Sequence, residues 1–313
     1  MKLRDQGEGG LIRRIQQRFG RESGPLTVGI GDDAAVINIP TGFAVVFCSD
    51  LLAENTHFIR SLHPPDSIGY KAVAANVSDI AAMGGVAAQF LISLAAPADL
   101  DWTWLERFFD GVEYACRRFG LQLAGGDSAS SDLLFIDVAM IGRVRPGEAV
   151  RRCGARPGDG IYVTGKLGSS ALGLERLRAG EINDPAVKRH LFPDARHRIG
   201  PAIARQAHAM IDVSDGLSTD LTHLLTESKV SARIYKHLLP AWPGAGDLHV
   251  LNGGEEYELI IAAPDLPDMI EDIPVTRIGE IIESNVEHRA FLVEGNHESV
   301  LEPHGWRHFQ SHL

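Results

Sequence analysis

Apolar positions along the chain follow two periods. Residues 11–19 (LIRRIQQRF) carry them at helical spacing, and residues 68–83 (IGYKAVAANVSDIAAM) form an alanine-rich helical run stopped by Gly84 and Gly85. Between Asp101 and Phe119, the residues Leu105, Phe108, Phe109, Val112, Cys116 and Phe119 fall on one stripe, which predicts a core-facing helix. Strands are predicted at VINIP (36–40), FAVVFCSD (43–50), AAQFLISLAAP (87–97) and LFIDVAMIGRV (134–144). The second of these is almost continuously apolar and is therefore expected in the middle of a sheet. The stretch RPGEAVRRCGARPGDG (145–160), rich in Pro, Gly and charge, reads as a boundary. Beyond it, IYVTG opens a second set of elements. Its clearest unit is AMIDVSDGLSTDLTHLL (209–225), a strand, a turn and a helix with Leu217, Leu221, Leu224 and Leu225 on one face. Strands alternate with helices on both sides of the boundary. That predicts a mixed α/β (α+β) architecture in two domains, 1–147 and 148–313.

Composition narrows the class. A chain of 313 residues with 44% hydrophobic and 23% charged residues is an ordinary globular mix with material for two cores. The formal net charge of -11 argues against tracking a nucleic-acid backbone or an anionic membrane. No apolar stretch is long enough to span a bilayer, and MKLRDQGEGG lacks the apolar centre of a signal peptide. Cys48, Cys116 and Cys153 form no CxxC unit, so neither a disulfide framework nor a zinc knuckle is expected, and a reducing cytoplasm is the simplest compartment.

The candidate chemistry lies in the aspartates. GIGDDAAVI (29–37) sets Asp32 and Asp33 before an apolar run, and FCSD ends a predicted strand on Asp50. NVSD places Asp79 inside an apolar helix, LAGGDS places Asp127 after two glycines, and IDVSD brackets a helix start with Asp212 and Asp215. Asp215 alone reads as a helix cap. Six sites of one kind call for a common compensator, and for clustered carboxylates that is a hard divalent cation such as Mg²⁺, which keeps waters and shares substrate phosphates. The backbone at Gly125-Gly126-Asp127 and Ser214-Asp215-Gly216 is expected to approach a phosphate. Two other motifs carry less. GIYVTGKL (160–167) has a P-loop frame, but Leu167 replaces the required Ser or Thr and IYVT reads as strand. His304, His308 and His312 have helical spacing, yet Gly305 and the chain end argue against a helical metal site.

The ordered motifs GIGDDAAVI, SDLLAENTHF, GYKAVAANVSDIAAMGG, AGGDS, VTGKLGSSALG, MIDVSDGLSTDLTHL, NGGEEYELI and HGWRHF resemble the thiamine-monophosphate kinases. These belong to the ATP-using superfamily that includes aminoimidazole ribonucleotide synthetase. The resemblance runs from the first helix to Phe309. It implies phosphoryl transfer from ATP to thiamine monophosphate, giving thiamine diphosphate, assisted by several Mg²⁺ ions and without a protein nucleophile. It also implies a two-domain fold whose N-terminal sheet forms a barrel across a homodimer, with ATP mainly on the N-terminal domain.

Carried onto this chain, the resemblance makes Asp33, Ser49, Asp50, Asp79, Asp127, Asp212 and Asp215 metal ligands. Metal-assisted catalysis then runs through Asp50, Asp79, Asp127 and Asp212. Gly126, Asp127, Arg152 and Ser214 match ATP contacts, while His57, Glu255 and Trp306 match substrate contacts. Asp32 reads as a cap or a supporting residue. Three positions depart from the family pattern: Cys48 stands for a frequent Ser, Glu256 for an Asp and Ser128 for a Thr. The rival readings are a sibling enzyme of the same superfamily and a non-catalytic Mg-nucleotide-binding module. A selenophosphate synthetase would carry a reactive cysteine in an N-terminal glycine-rich loop, whereas the first cysteine here is Cys48, in a predicted strand. A non-catalytic module would have lost metal carboxylates, and all the matched ones are present.

Overall fold

In the computed structural model, which describes residues 1–284 and 287–309, packing divides the chain into two units. The first comprises Met1–Ile80 with Gly85–Gly147, the second Ala81–Gly84 with Glu148–Leu313. The first unit runs α1 (Leu3–Phe19), β1 (Leu26–Val28), β2 (Val36–Ile37), β3 (Ala44–Ala53), α2 (Pro65–Ala82), β4 (Val86–Ala96), α3 (Trp102–Phe119), β5 (Gln122–Ser130) and β6 (Phe135–Val144). Local chemistry sets these boundaries. Asp101 caps α3 by accepting the Thr103 N–H, and Gly120 ends it in the left-handed region at φ 71°. The stripe read from the sequence is buried, with Leu105, Phe108, Phe109 and Val112 in the core.

Among the described residues the main sheet of this unit has the order β3-β6-β4-β5, with β4 and β5 parallel and the other pairs antiparallel. FAVVFCSD is thus an edge strand, not a central one. A continuous apolar run reports that both faces of a strand need cover; it says nothing about which backbone edges are paired. One face of β3 meets α2, where the Cys48 thiol donates to the Asn76 side-chain oxygen at 3.5 Å. On the other, Val45, Phe47 and Leu51 are exposed, Phe47 at 67%.

The second unit contains β7 (Gly160–Thr164), α4 (Ser169–Arg178), α5 (Pro185–Leu191), α6 (Ile199–Ile203), β8 (Ala209–Asp212), α7 (Leu217–Ser228), β9 (Ser231–Tyr235), α8 (Asp247–Asn252), β10 (Leu259–Ala263), β11 (Met269–Ile270), β12 (Ile273–Ile282), β13 (Ala290–Glu294) and β14 (His297–Val300). Its described strands form an eight-stranded sheet ordered β14-β13-β9-β12-β7-β10-β8, with β11 on β12. Strands β7, β8 and β10 are buried throughout and sit side by side. Because β8 and β10 run antiparallel, the turn after β8 and the loop before β10 meet at one end of the sheet and carry the candidate site of this unit. The P-loop frame is excluded here: IYVT is strand and Leu167 is fully buried. His304 and His308 lie in irregular chain, and His312 falls outside the described residues.

Candidate functional site

In the first unit, β3 delivers adjacent residues to opposite faces of its sheet, as the two-residue repeat of a strand requires. Asp50 points toward α2 and hydrogen-bonds Asp79, while Ser49 lies on the other face and donates to Asp137 Oδ1 at 2.8 Å. Burial pushes the Asp50 carboxyl above its ordinary value. The Asp79 hydrogen bond pulls it down, and the Asp137 charge pushes it up again. Two carboxyl groups at hydrogen-bonding distance repel unless a proton or a cation sits between them. This donor set, all hard oxygen, fits a magnesium ion. Among the described residues no three His, Cys, Asp or Glu side chains converge closely enough to hold a metal unaided. Mg²⁺ commonly takes only one or two carboxylates, with waters and phosphates completing its shell.

Other candidates of this unit are placed differently from expectation. Asp32 and Asp33 are exposed, and the run after them leads into the two-residue strand β2, not into a core. Asp32 Oδ1 accepts the Asp33 N–H at 2.9 Å. Asp127 is exposed on β5 and accepts the Ser128 N–H at 2.8 Å. Gly126 has a packing reason to be glycine: at φ 158° a Cβ would stand 1.8 Å from the Ile92 carbonyl oxygen of β4. His57 follows β3 in a tight turn whose Ala53 N–H donates to its Nδ1 at 3.0 Å, which leaves the ring proton of the neutral form on Nε2.

In the second unit the turn between β8 and α7 is the organising feature. Asp220 Oδ2 accepts the N–H groups of Ser214, Asp215 and Gly216, each at 3.0 Å. The expected phosphate cradle at these three amides is therefore taken by a side chain of the chain itself; a carboxylate one turn into α7 reaches them first. The outward carbonyls of the same turn hold two further segments. Ser214 O accepts the Glu255 N–H at 2.7 Å and Asp215 O accepts the Trp306 N–H at 2.9 Å. Glu255 and Tyr257 adopt left-handed φ of 58° and 54°, a strain held in place by these contacts and by Tyr257 N–H to Val213 O. Gly305 is required, since a Cβ there would lie 2.1 Å from Asp215 O. Trp306 is 37% exposed, and its backbone N–H pins the C-terminal segment to Asp215.

Electrostatics draw the same residues together. Burial pushes the Asp215 carboxyl up, while the charges of His223, His308 and Arg152 pull it down. Asp220 is held well above the ordinary range by burial, then by Asp212 and Asp215. His190 Nδ1 stands 3.6 Å from Glu255 Oε2 and 3.0 Å from Ser170 Oγ. Sequence reasoning missed Asp137, Asp220 and His190. Asp220 had a usable signal, an acidic residue in the first turn of a predicted helix directly after SDG. Asp137 had only its polar place in an alternating strand, and His190 had none.

Residues 31–144 match the family model described as AIR synthase related protein, N-terminal domain. A thiamine-monophosphate kinase from Escherichia coli (strain K12) is 37% identical over 325 residues, spanning 97% of this chain and 98% of that protein. The chain belongs to the thiamine-monophosphate kinase family. Its fold agrees. The crystal structure of the thiamine-monophosphate kinase from Stenotrophomonas maltophilia K279a superposes with a TM-score of 0.80 at 32% identity, covering 90% of this chain and 95% of that one. The structure of AaThiL complexed with AMPPCP and TMP gives 0.76 at 34% identity, covering 99% of both.

Within the thiamine-monophosphate kinase fold, two of the departures now have structural consequences. Cys48 faces α2, away from Ser49. Glu256 is buried and caps α4: its carboxylate accepts the Ser169 hydroxyl at 2.6 Å and the Ser170 N–H at 2.8 Å. Burial nevertheless pushes it up to about 7. A carboxyl raised on folding binds its proton more tightly in the native state, so its contribution to stability is complete below the ordinary glutamate range and is lost as pH rises through about 7. The contribution is roughly 3 kcal/mol. Thermal unfolding of the parent is expected to weaken between pH 5 and pH 8. Glu256→Gln should flatten that dependence, and an unchanged slope would remove Glu256 as its source.

Proposed function

We propose that this protein transfers the γ-phosphoryl group of ATP to thiamine monophosphate, forming thiamine diphosphate and ADP. A phosphate oxygen of thiamine monophosphate attacks the γ-phosphorus, a new P–O–P bond forms, and the bond to ADP breaks. The supporting kinship spans nearly the whole chain and includes a relative holding AMPPCP, an ATP analogue, together with TMP. The observation in this chain that carries the reading is the β8–α7 turn. Residues matched to metal, nucleotide and thiamine contacts (Asp215, Ser214, Glu255 and Trp306) hang from it within single hydrogen bonds.

The roles divide as follows. Asp33, Ser49, Asp50, Asp79 and Asp127 in the first unit, with Asp212 and Asp215 in the second, would hold Mg²⁺. Those ions, when bound, would neutralise the phosphate charge that two polyanions bring together. Gly126, Asp127, Arg152 and Ser214 would contact ATP, with the Arg152 guanidinium a fork for phosphate oxygens. His57, Glu255 and the exposed Trp306 ring would hold the thiamine moiety, Trp306 by stacking and Glu255 by charge.

The exposed apolar side chains Val45, Phe47 and Leu51 of β3, with Leu91 of β4, support a homodimer in which two such sheets close into a barrel. No helix of the described residues is long and apolar enough to cross a membrane, and Cys48, Cys116 and Cys153 form no disulfide. Three reduced thiols suit the cytoplasm. The test is chromatography of purified protein with thiamine monophosphate, ATP and Mg²⁺, against EDTA and no-substrate controls. Thiamine diphosphate and ADP should appear in equal amounts and only with metal. ATP binding without thiamine diphosphate would refute the thiamine reading and favour a sibling activity.

A further inference from the structure

Asp137 has no part in the roles assigned above, yet the fold puts it beside them. On β6 it is the register partner of Leu51 on β3 and of Ser93 on β4, and Ser93 is in turn the partner of Asp127 on β5. Register partners point to one face of a sheet. Asp137, Ser93 and Asp127 therefore share the face that carries Ser49, two register pairs along. Ser49 donates its hydroxyl proton to Asp137 Oδ1 at 2.8 Å.

The direction of that bond matters. A neutral hydroxyl binds a cation through an oxygen lone pair, so its proton must point elsewhere. Left to rotate, it would spend time aimed at the position a cation needs. A carboxylate that takes the proton fixes the rotor, turns the lone pairs outward and makes the oxygen more negative, as outer carboxylates do for metal-bound ligands generally.

We infer that Asp137 is a positioning residue that orients the Ser49 hydroxyl toward the divalent cation of the first unit. The inference rests on the metal role given to Ser49 above. It predicts an effect on cation binding that needs Ser49, whereas a general attraction by an acidic side chain would not.

The experiment is Mn²⁺ titration of the purified full-length protein without nucleotide, followed by calorimetry and by the free-ion electron-spin signal. It uses the parent, Ser49→Ala, Asp137→Ala and the double variant. Asp137 is half-buried at the sheet face, and thermal unfolding of each variant checks that the fold persists. Asp137→Ala is expected to weaken Mn²⁺ binding about tenfold. In the Ser49→Ala background the same change should matter less than about twofold, because the hydroxyl it acts through is gone. Affinity equal to the parent in Asp137→Ala overturns the inference. So does a loss of undiminished size in the Ser49→Ala background, which would make Asp137 a ligand or a bare charge. A parent that binds no Mn²⁺ defeats the metal reading as well, and the chromatographic assay reports separately on the thiamine reading.

Discussion

Asp50→Asn is expected to lower kcat about a thousandfold or more while leaving thermal unfolding unchanged or slightly improved. Both halves come from one feature. Asp50 lies between its hydrogen bond to Asp79 and the charge of Asp137, and burial already pushes its carboxyl up. Holding a charge there works against folding, and asparagine keeps the shape while removing it. The same charge is what a cation bridging phosphates would need. A steady-state assay paired with a melting curve separates the two effects. Near-normal turnover with unchanged unfolding would take Asp50 out of the mechanism. Loss of turnover with a collapsed melting temperature would instead make it structural.

Glu258→Ala should be the most damaging single change to the fold. Glu258 is fully buried, and its oxygens accept the Thr164 hydroxyl at 2.6 Å, Arg189 Nη2 at 3.1 Å and both Nε and Nη2 of Arg196. Arg196 is 7% exposed, and beside Glu258 it is paired among the described residues with Asp194, at 3.0 Å. Burial lowers the Arg196 guanidinium, but the Glu258 charge and hydrogen bonds raise it above its ordinary value. Stripping one partner from such a pair leaves an uncompensated buried charge, at about 3–5 kcal/mol. For a unit of this size that is roughly 10 °C in melting temperature. Glu258→Ala combined with Arg196→Met should recover much of the loss, since no lone charge remains. A single variant that melts within a degree or two of the parent would show the network to be dispensable.

The network matters to the site because of where it lies. Glu258 O accepts the Val213 N–H, directly before the turn that presents Ser214 and Asp215. Glu258 also closes the strained segment from Glu255 to Tyr257. A loosened anchor here is expected to reach the substrate side of the site through backbone hydrogen bonds alone.

Much of this could be read from the residues in order. Helical stripes, strand runs and glycine stops foretold α2, α3, β4, β6, β7, β8 and α7, because each is governed by contacts within a few residues or by the face it must bury. The ordered motifs carried the family, since spacing between SD, NVSD, GGDS and SDG survives in the chain as written. Three things were not legible, and each has a non-local cause. The edge position of β3 depends on which backbone partners arrive, and an apolar run is silent on that. The exposure of Asp33 and the occupation of the Ser214–Gly216 amides by Asp220 depend on how a turn is filled after it closes. Asp137 beside Ser49, 88 positions away, exists only because β3 and β6 pair in one register. Local periodicity was enough to place these elements, and the ordered motifs to name the family. Register, edge order and the ownership of each buried hydrogen bond arise from pairings between distant segments, and these take shape only when the sheets assemble.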